Sequence, residues 1–152
     1  MSIDSNYVSG FVDGEGSFLV SFSPRSKLKT GIEVRPSFSV SQRTDRSEVL
    51  WSIKGLFGCG QIRYSKKDNT YKYEVRSLED LNGKIIPHFN KFPLLSSKQK
   101  EVETFSVICS KVLNKEHLKA EGLKEIIEMS FSLNSGGSRR YSKEYILSKL
   151  KI

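Results

Sequence analysis

Two acidic residues lie where a short helix should end. In YVSGFVDGEGSF, residues 7–18, apolar residues first recur at helical spacing. Asp13 and Glu15 then alternate with two glycines, Gly14 and Gly16. Carboxylates are disfavoured at the carboxyl end of a helix, because the helix dipole is negative there. A divalent cation would cancel that repulsion and would bind carboxylate and exposed carbonyl oxygens. The pattern indicates a cation site, unless both acids are simply solvated at a helix end.

Two common ligand-binding loops do not fit this stretch. A calcium loop that starts at Asp13 requires Gly at its sixth position and Glu at its twelfth, where the chain has Phe18 and Pro24. A glycine-rich phosphate loop requires a lysine at a fixed spacing, and none follows.

Gly10 and Gly14 suggest that a second helix packs closely on this one. They are four residues apart, and small residues at that spacing let two helices cross at short distance. If the second helix belongs to another copy of the chain, two Glu15 carboxylates meet across a two-fold axis. Two acids, bound cations and a basic groove together suit two-metal hydrolysis of phosphodiesters. Tight packing within one chain is the alternative explanation for Gly10.

The charge of the chain points to a polyanionic partner. Its 152 residues include 25 Lys and Arg against 17 Asp and Glu, a net charge of +8, and the pI is near 9.5. Residues 1–20 contain no Lys or Arg, whereas residues 21–46 contain six of them against two acids. A segment without basic residues, which contains Asp13 and Glu15, therefore lies directly before a basic segment in the sequence.

Length and composition favour one globular domain, residues 1–152. No apolar run approaches a membrane span, and the N-terminus lacks a secretory leader pattern. The two cysteines, Cys59 and Cys109, indicate neither a metal-ligand pair nor a disulfide framework. We therefore expect an intracellular protein without a membrane partner.

The elements around the acids alternate between helical and extended patterns. Residues 17–42 alternate apolar and polar side chains, which predicts a long hairpin with one face of each kind. The segments QIRYS and YKYEVRS predict a second hairpin, in which Ile62, Tyr64, Tyr73 and Val75 face inward. Asp45 and Glu48 give a D-x-x-E helix-start signal between the hairpins, and further helices follow. The order predicts an α+β domain, a four-stranded antiparallel sheet with helices behind a polar, basic face.

That polar face suits the reading of base edges in DNA. Arg pairs with guanine, Gln with adenine, Glu with cytosine and Ser with several bases, and a twisted two-stranded ribbon fits the major groove. A merely solvated sheet face remains the alternative. The candidate DNA-contacting residues on the hairpins are Ser21, Ser23, Arg25, Lys27, Lys29, Glu33, Arg35, Ser37, Ser39, Gln61, Arg63, Ser65, Lys66, Lys72, Glu74 and Arg76. The basic stretch SGGSRRY adds Ser138, Arg139 and Arg140 as candidate phosphate contacts.

Three segments resemble one known family. VSGFVDGEG, residues 8–16, closely resembles the signature of the LAGLIDADG homing endonucleases, with Val8 and Ser9 in place of the usual Leu and Ala. FSVSQRTDR, residues 38–46, and PLLSSKQK, residues 93–100, are similar to the family segments that carry pocket residues. The pocket residues implied here are Gln42, Arg46 and Lys98.

The resemblance implies a fold, an activity and a site. The fold would be αββαββα, with the sheet as a DNA-binding saddle. A chain with one motif would act as a homodimer, with the interface formed by Ser9, Gly10, Asp13 and Gly14. Glu15 and the Gly14 carbonyl oxygen would bind Mg²⁺, with Mn²⁺ or Ca²⁺ as substitutes, and Asp13 would be structural. The implied catalytic residues are Glu15, Gln42, Arg46 and Lys98.

The implied reaction is a site-specific double-strand break that leaves 3′ overhangs in a long, pseudo-palindromic DNA target. The gene would lie in a mobile intron. The protein would act in a chloroplast, a mitochondrion or a bacterial cytoplasm. Two alternatives on the same fold are an RNA-binding intron maturase and a non-cleaving DNA-binding protein. The presence of Glu15, Gln42 and Lys98 favours cleavage, because binding alone would not need them.

Overall fold

The computed structural model describes residues 2–133 and 139–152. Its four strands are β1 (Gly16–Pro24), β2 (Ile32–Arg43), β3 (Gln61–Ser65) and β4 (Thr70–Val75), and they form one antiparallel sheet in the order β1-β2-β4-β3. The helices are α1 (Ser5–Glu15), α2 (Glu48–Phe57), α3 (Leu78–Asp80), α4 (Ile86–Lys91), α5 (Lys98–Leu113), α6 (Ala120–Phe131) and α7 (Lys143–Ser148). A π-helical stretch, Leu81–Ile85, joins α3 to α4, and 3₁₀ turns lie at Thr44–Arg46 and Glu116–Leu118. The predicted α+β architecture is confirmed.

The core lies between the apolar face of the sheet and the helices. Phe18 of β1 is paired in register with Phe38 of β2, and their rings are 5.1 Å apart. Phe89 of α4 and Phe105 of α5 pack onto Phe18, with ring centroids at 5.5 Å and 5.4 Å. All four rings are essentially inaccessible to solvent. Because burial of each such side chain is worth about 1.5–3 kcal/mol, this cluster holds the helices against the sheet.

Two local predictions are wrong. Tyr64 is 52% exposed, because it lies on the edge strand β3. Its ring centre lies 5.3 Å from that of Tyr71, and its hydroxyl donates to Asn69 at 3.2 Å. Asp45 does not cap α2; it lies in the 3₁₀ turn and pairs with Arg43 at 3.5 Å. The residue that precedes α2 is Ser47, whose side chain makes no capping bond.

Other helix boundaries follow the expected local chemistry. Gly58 ends α2 with a φ of 67°, in the left-handed region that favours glycine. Ser142 caps α7 by accepting a hydrogen bond from the Tyr145 amide. Within the described ranges, no helix is both long and apolar enough to cross a bilayer.

Candidate active site and nucleic-acid interface

The junction of α1 and β1 places Glu15 at one end of the sheet. Asp4 starts α1 by accepting hydrogen bonds from the amides of Asn6 at 2.7 Å and Tyr7 at 3.2 Å. The helix ends at Glu15, and β1 begins at once with Gly16. A Cβ at Gly16 would lie 2.5 Å from Cγ1 of Val12, so only glycine fits this turn. The exposed Glu15 side chain therefore lies where the helix meets the sheet.

Glu15 shares a cleft with two other predicted catalytic residues. The cleft has a volume of about 300 Å³, and its lining residues are Glu15, Ser41, Gln42, Arg43, Arg46 and Thr70. The Gln42 amide donates to the Ser41 carbonyl oxygen at 2.9 Å, which orients it at the end of β2. Arg46 is exposed in the 3₁₀ turn that follows β2. The end of the sheet thus combines a carboxylate, an amide and guanidinium groups.

Lys98 lies outside this cleft but contacts the same helix end. Its Nζ donates to the Gly16 carbonyl oxygen at 2.9 Å and to the Val12 carbonyl oxygen at 3.3 Å. An ammonium group at the carboxyl end of a helix is stabilised by the helix dipole. The predicted lysine is therefore brought to the α1–β1 junction from the first residue of α5.

Asp13 has a different environment from Glu15. Its carboxylate accepts hydrogen bonds from the amides of Leu95 and Ser96, both at 3.0 Å, and from the Ser96 hydroxyl. The Ser96 hydroxyl is the largest influence that holds the pKa of Asp13 below its usual range, and the two amides and Lys98 act in the same direction. These donors lie just before α5, where a negative charge is favourable. Asp13 is thus tied to the start of α5 and does not line the cleft of Glu15.

The donor set at the cleft fits a hard divalent cation in part. One chain offers the Glu15 carboxylate, an oxygen ligand of the kind that Mg²⁺ and Ca²⁺ prefer. The predicted second ligand is the main-chain carbonyl oxygen of Gly14, the preceding residue of α1. Residues 2–133 and 139–152 contain no cluster of three or more His, Cys, Asp or Glu that could hold a metal by itself. A complete coordination shell would therefore need ligands from outside one chain, such as a phosphate or a second carboxylate.

One face of α1 is open. Gly10 and Gly14 are exposed, and an added Cβ at either residue would meet no described atom within 4 Å apart from the neighbouring backbone of α1 itself. Tyr7, 55% exposed, stacks on Phe11 along the same side of the helix. Ser9, predicted at the interface, faces the other way: it is buried and donates to the Phe92 carbonyl oxygen at 2.6 Å.

The polar face of the sheet forms a groove of about 480 Å³. Its lining residues are Ser17, Leu19, Ser21, Ser23, Arg35, Ser37, Ser39, Ser41, Lys72, Glu74 and Arg76. The register aligns these side chains across strands, for example Ser17 with Ser39 and Ser39 with Glu74. Gln61 and Arg63 line a second recess of about 270 Å³ beside Glu74 and Arg76. Most of the predicted base-contacting residues therefore lie on one continuous surface.

Each acid on this surface is held between two basic residues. Glu33 accepts from Arg25 at 3.0 Å and from Arg35 at 2.7 Å, and these two hydrogen bonds, with that of Arg35 the stronger influence, lower the pKa of Glu33. Glu74 pairs with Arg76 at 2.9 Å and with Lys72 at 3.9 Å. The basic side chains of these pairs are about half exposed, whereas the Glu33 and Glu74 side chains are only 23% and 11% exposed. The basic groups are therefore within reach of DNA.

The remaining predicted contacts lie at turns and at the C-terminal segment. Lys27 and Lys29 are exposed in the β1–β2 turn, and Lys66 is exposed in the β3–β4 turn. Ser65 lies at the end of β3, and its hydroxyl donates to Asp68 at 3.3 Å. Arg140 is exposed beside the Tyr141 ring, and Ser138 lies outside the described residues.

Arg139 has a structural role in place of the predicted phosphate contact. Its guanidinium donates to the carbonyl oxygens of Val20 and Ser130, both at 2.7 Å, and lies 4.3 Å from the centre of the Phe131 ring. Burial lowers the pKa of Arg139. The side chain joins the edge strand β1 to the end of α6.

Several lining residues were missed in the sequence. Ser17 and Ser41 have the same alternation parity as the predicted serines, so the pattern could have included them. Arg43 and Thr70 line the cleft because β2 and β4 pair them in register, which no local pattern specifies.

The fold and this arrangement of residues define a known class of protein. A family model described as LAGLIDADG endonuclease matches residues 8–109, about two thirds of the chain, and the chain belongs to that family. The resemblance predicted from the motif is confirmed.

Named relatives agree with the family. "Probable intron-encoded endonuclease 2" of Neurospora crassa is 32% identical over 144 residues, which is 94% of this chain and 32% of that protein. This chain spans about a third or less of the length of the first such relatives. The solved structure of a homing endonuclease, I-TnaI, is 33% identical with a TM-score of 0.86, covering 98% of this chain and 97% of that one. I-SmaMI, bound to an uncleaved DNA target in the presence of calcium ions, is 36% identical with a TM-score of 0.85, covering 90% and 47%.

Proposed function

We propose that this chain is a homing endonuclease that forms a homodimer and makes a site-specific double-strand break in a long, pseudo-palindromic DNA target, leaving 3′ overhangs. The observation that carries the proposal is the cleft that joins Glu15, Gln42 and Arg46 at the end of a polar sheet face. A carboxylate for cation binding, a cationic group and a surface suited to DNA are then adjacent, as phosphodiester hydrolysis requires.

The open face of α1 supports the homodimer. Gly10 and Gly14 leave room for close approach of a second helix, and Tyr7 and Phe11 offer apolar surface beside them. An isologous pair of α1 helices would bring the two Glu15 side chains toward a common axis. Two-fold symmetry predicts a target whose half-sites are inverted repeats.

The sheet groove supports double-stranded DNA as the substrate. Side chains of Ser, Arg, Lys, Gln and Glu stand in cross-strand rows on one face. Lysines in both hairpin turns suit the phosphate backbone, which positions a protein without reading sequence. Arg25, Arg35 and Arg76 would leave their carboxylate partners to contact bases or phosphates.

Magnesium is the proposed cofactor, held by the Glu15 carboxylate and the Gly14 carbonyl oxygen of each chain, with Mn²⁺ or Ca²⁺ as substitutes. When bound, the cation supplies positive charge that stabilises the attacking and leaving oxygens of the phosphate. Arg46 adds positive charge in the same cleft, and Gln42 orients solvent through its amide. Lys98 stabilises developing negative charge from the other side of the helix end.

We further propose that the gene lies within an intron and that the protein acts where that gene resides, in an organelle or a bacterial cytoplasm. The intron-encoded relatives support this, because their names record the same gene setting. Cleavage of an intronless copy of the host gene would then start transfer of the intron.

The test is a selection for cleaved duplexes. The purified protein is incubated with Mg²⁺ and a randomised pool built around intron insertion sites, and the cut ends are sequenced. We expect one near-palindromic site with 3′ overhangs. Glu15→Gln should abolish cutting while leaving the affinity for that site in Ca²⁺ unchanged within about twofold, because the carboxylate serves the chemistry and not the reading of bases.

The matched control is Glu121→Gln, which removes an exposed carboxylate from α6 on the helical side of the molecule. It should cut like the parent protein. If the parent protein does not cut DNA and instead binds intron RNA tightly, the maturase alternative replaces the endonuclease. Binding of one DNA site without cutting would identify a non-cleaving DNA-binding protein.

A further inference from the structure

A chain of hydrogen bonds connects the motif helix to the backbone of Lys98. Asp13 of α1 accepts two amides, from Leu95 and Ser96, and also the Ser96 hydroxyl. The oxygen of that hydroxyl accepts the amide of Lys98 at 3.1 Å. Ser96 therefore connects a carboxylate of α1 to the first residue of α5, across more than eighty residues of sequence.

The other end of Lys98 returns to the same helix. Its Nζ contacts the carbonyl oxygens of Val12 and Gly16, the residues that flank Asp13 and Glu15 on either side. The ammonium group of Lys98 is thus hydrogen-bonded directly to residues 12–16, and its main-chain amide is connected to the same stretch through Ser96. Glu15 lies in that same short stretch, so one helix end sets the positions of both groups.

We propose that Asp13 and Ser96 form a latch that positions Lys98 at the end of α1, beside Glu15, before DNA binds. Asp13 and Ser96 are positioning residues here, since neither lines the cleft of Glu15. Reacting groups that are held in place before the substrate arrives need no costly ordering in the transition state. The catalytic meaning of the latch rests on the proposed cleavage activity, but its geometry does not.

The latch can be tested without DNA. The protein is labelled with a limiting amount of acetic anhydride, and mass spectrometry compares acetylation of Lys98 with that of the exposed Lys100 in the same molecule. Because the latch keeps the Lys98 ammonium on two carbonyl oxygens, Ser96→Ala and Asp13→Asn should each raise the Lys98 to Lys100 ratio by about threefold or more. The matched control is Ser97→Ala, since Ser97 is also exposed and its side chain makes no capping bond. If the Lys98 to Lys100 acetylation ratio is the same in the parent protein and in all three variants, the latch proposal is wrong.

The second readout separates positioning from folding. On the selected DNA site, Ser96→Ala should lower the single-turnover cleavage rate about tenfold while the dissociation constant in Ca²⁺ changes by less than about twofold. In a Lys98→Ala background the same substitution should have no further effect on the rate, because the latch acts through Lys98. An additive loss in the double variant, or an equal loss of binding, would assign Ser96 a structural role only.

The two proposals fail in different ways. If the parent protein cuts no DNA, the endonuclease proposal is wrong, and the labelling ratio still decides whether the latch holds Lys98. If the parent protein cuts and the labelling ratio does not respond to Ser96→Ala, the latch is wrong and the endonuclease proposal stands. Should Asp13→Asn fail to fold, the exposed Ser96→Ala variant carries both measurements.

Discussion

Asp13 and Glu15 are two residues apart and have opposite surroundings. Asp13 is bonded to three donors at the start of α5, whereas Glu15 makes no hydrogen bond or ion pair with the described residues and lines a cleft. The motif in the sequence identified both acids and assigned only Glu15 to a cation. It could not locate the partners of Asp13, because Leu95 and Ser96 are 82 and 83 residues away and carry no local signal.

Arg139 gives a prediction at the scale of the residue. Arg139→Ala removes the donor to the Val20 carbonyl oxygen and one donor to the Ser130 carbonyl oxygen, which also accepts the Leu133 amide at 3.1 Å. It also removes the contact with the Phe131 ring. We expect the free energy of unfolding to fall by about 1–3 kcal/mol, because a buried acceptor is costly to leave unpaired. The midpoint of urea denaturation measures this change.

Its neighbour supplies the control. Arg140 is exposed, so Arg140→Ala should change the free energy of unfolding by no more than about 0.5 kcal/mol. Equal effects of the two substitutions would contradict the structural role of Arg139.

At the scale of elements, α1 has two faces with different tasks. Val8, Ser9 and Val12 pack inward, and Gly10 and Gly14 lie on the open side. The spacing in the sequence predicted α1 and the small-residue pair formed by Gly10 and Gly14. It did not place Ser9, because a small polar side chain is compatible with either an interface or a satisfied interior position. The partner of Ser9, the Phe92 carbonyl, lies 83 residues away in sequence.

Gly10→Leu should separate the proposed homodimer and leave the single chain folded. The added side chain meets open space within one chain, and leucine is about 0.5–1 kcal/mol more favourable than glycine in a helix. A second helix packed at that spot would be displaced. Sedimentation equilibrium should report the mass of one chain, with an unchanged or higher melting temperature. Gly55→Leu, at an equally open glycine of α2, should keep the mass of two. A dimer that survives Gly10→Leu would exclude the proposed interface.

The polar face of β3 and β4 yields a separate prediction. The Arg63 guanidinium has only a long contact of 3.4 Å, to Gln61, among the described hydrogen bonds and ion pairs, so it is available for a base. Arg63→Ala should relax sequence preference at one or two symmetry-related positions, at about 1–3 kcal/mol per lost base contact. Profiling of cleaved sites measures the change, with Lys124→Ala, exposed on α6, as the control. If the profile of cleaved sites is unchanged, Arg63 does not contact a base.

At the scale of the whole molecule, acid should destabilise the fold through its two histidines. Burial lowers the pKa values of His88 and His117 from 6.5, since it disfavours the charged imidazolium. Below about pH 6.5 the unfolded chain therefore binds more protons than the folded chain, and stability falls until the folded-state pKa is passed. Above that pH the histidines contribute no such loss.

The measurement is the melting temperature at pH 7.5 and pH 5.5. The Nδ1 atom of His117 is buried without a partner among the described residues, beside apolar side chains that include Ile32 and Leu118. His117→Leu should therefore shrink the difference between the two melting temperatures. A difference that stays the same would show that other groups dominate the acid response.

Residues that pack and residues that face the groove alternate along the same strands. Phe18, Val20 and Phe22 point into the core, and Ser17, Ser21 and Ser23 point away from it. A substitution on the groove side leaves the packing on the other side intact. Over generations, a lineage built on this sheet can change the sequence it recognises by point mutation while the scaffold persists. For the proposed homing endonuclease, the alternation of side chains along each strand separates changes in DNA recognition from changes in folding stability.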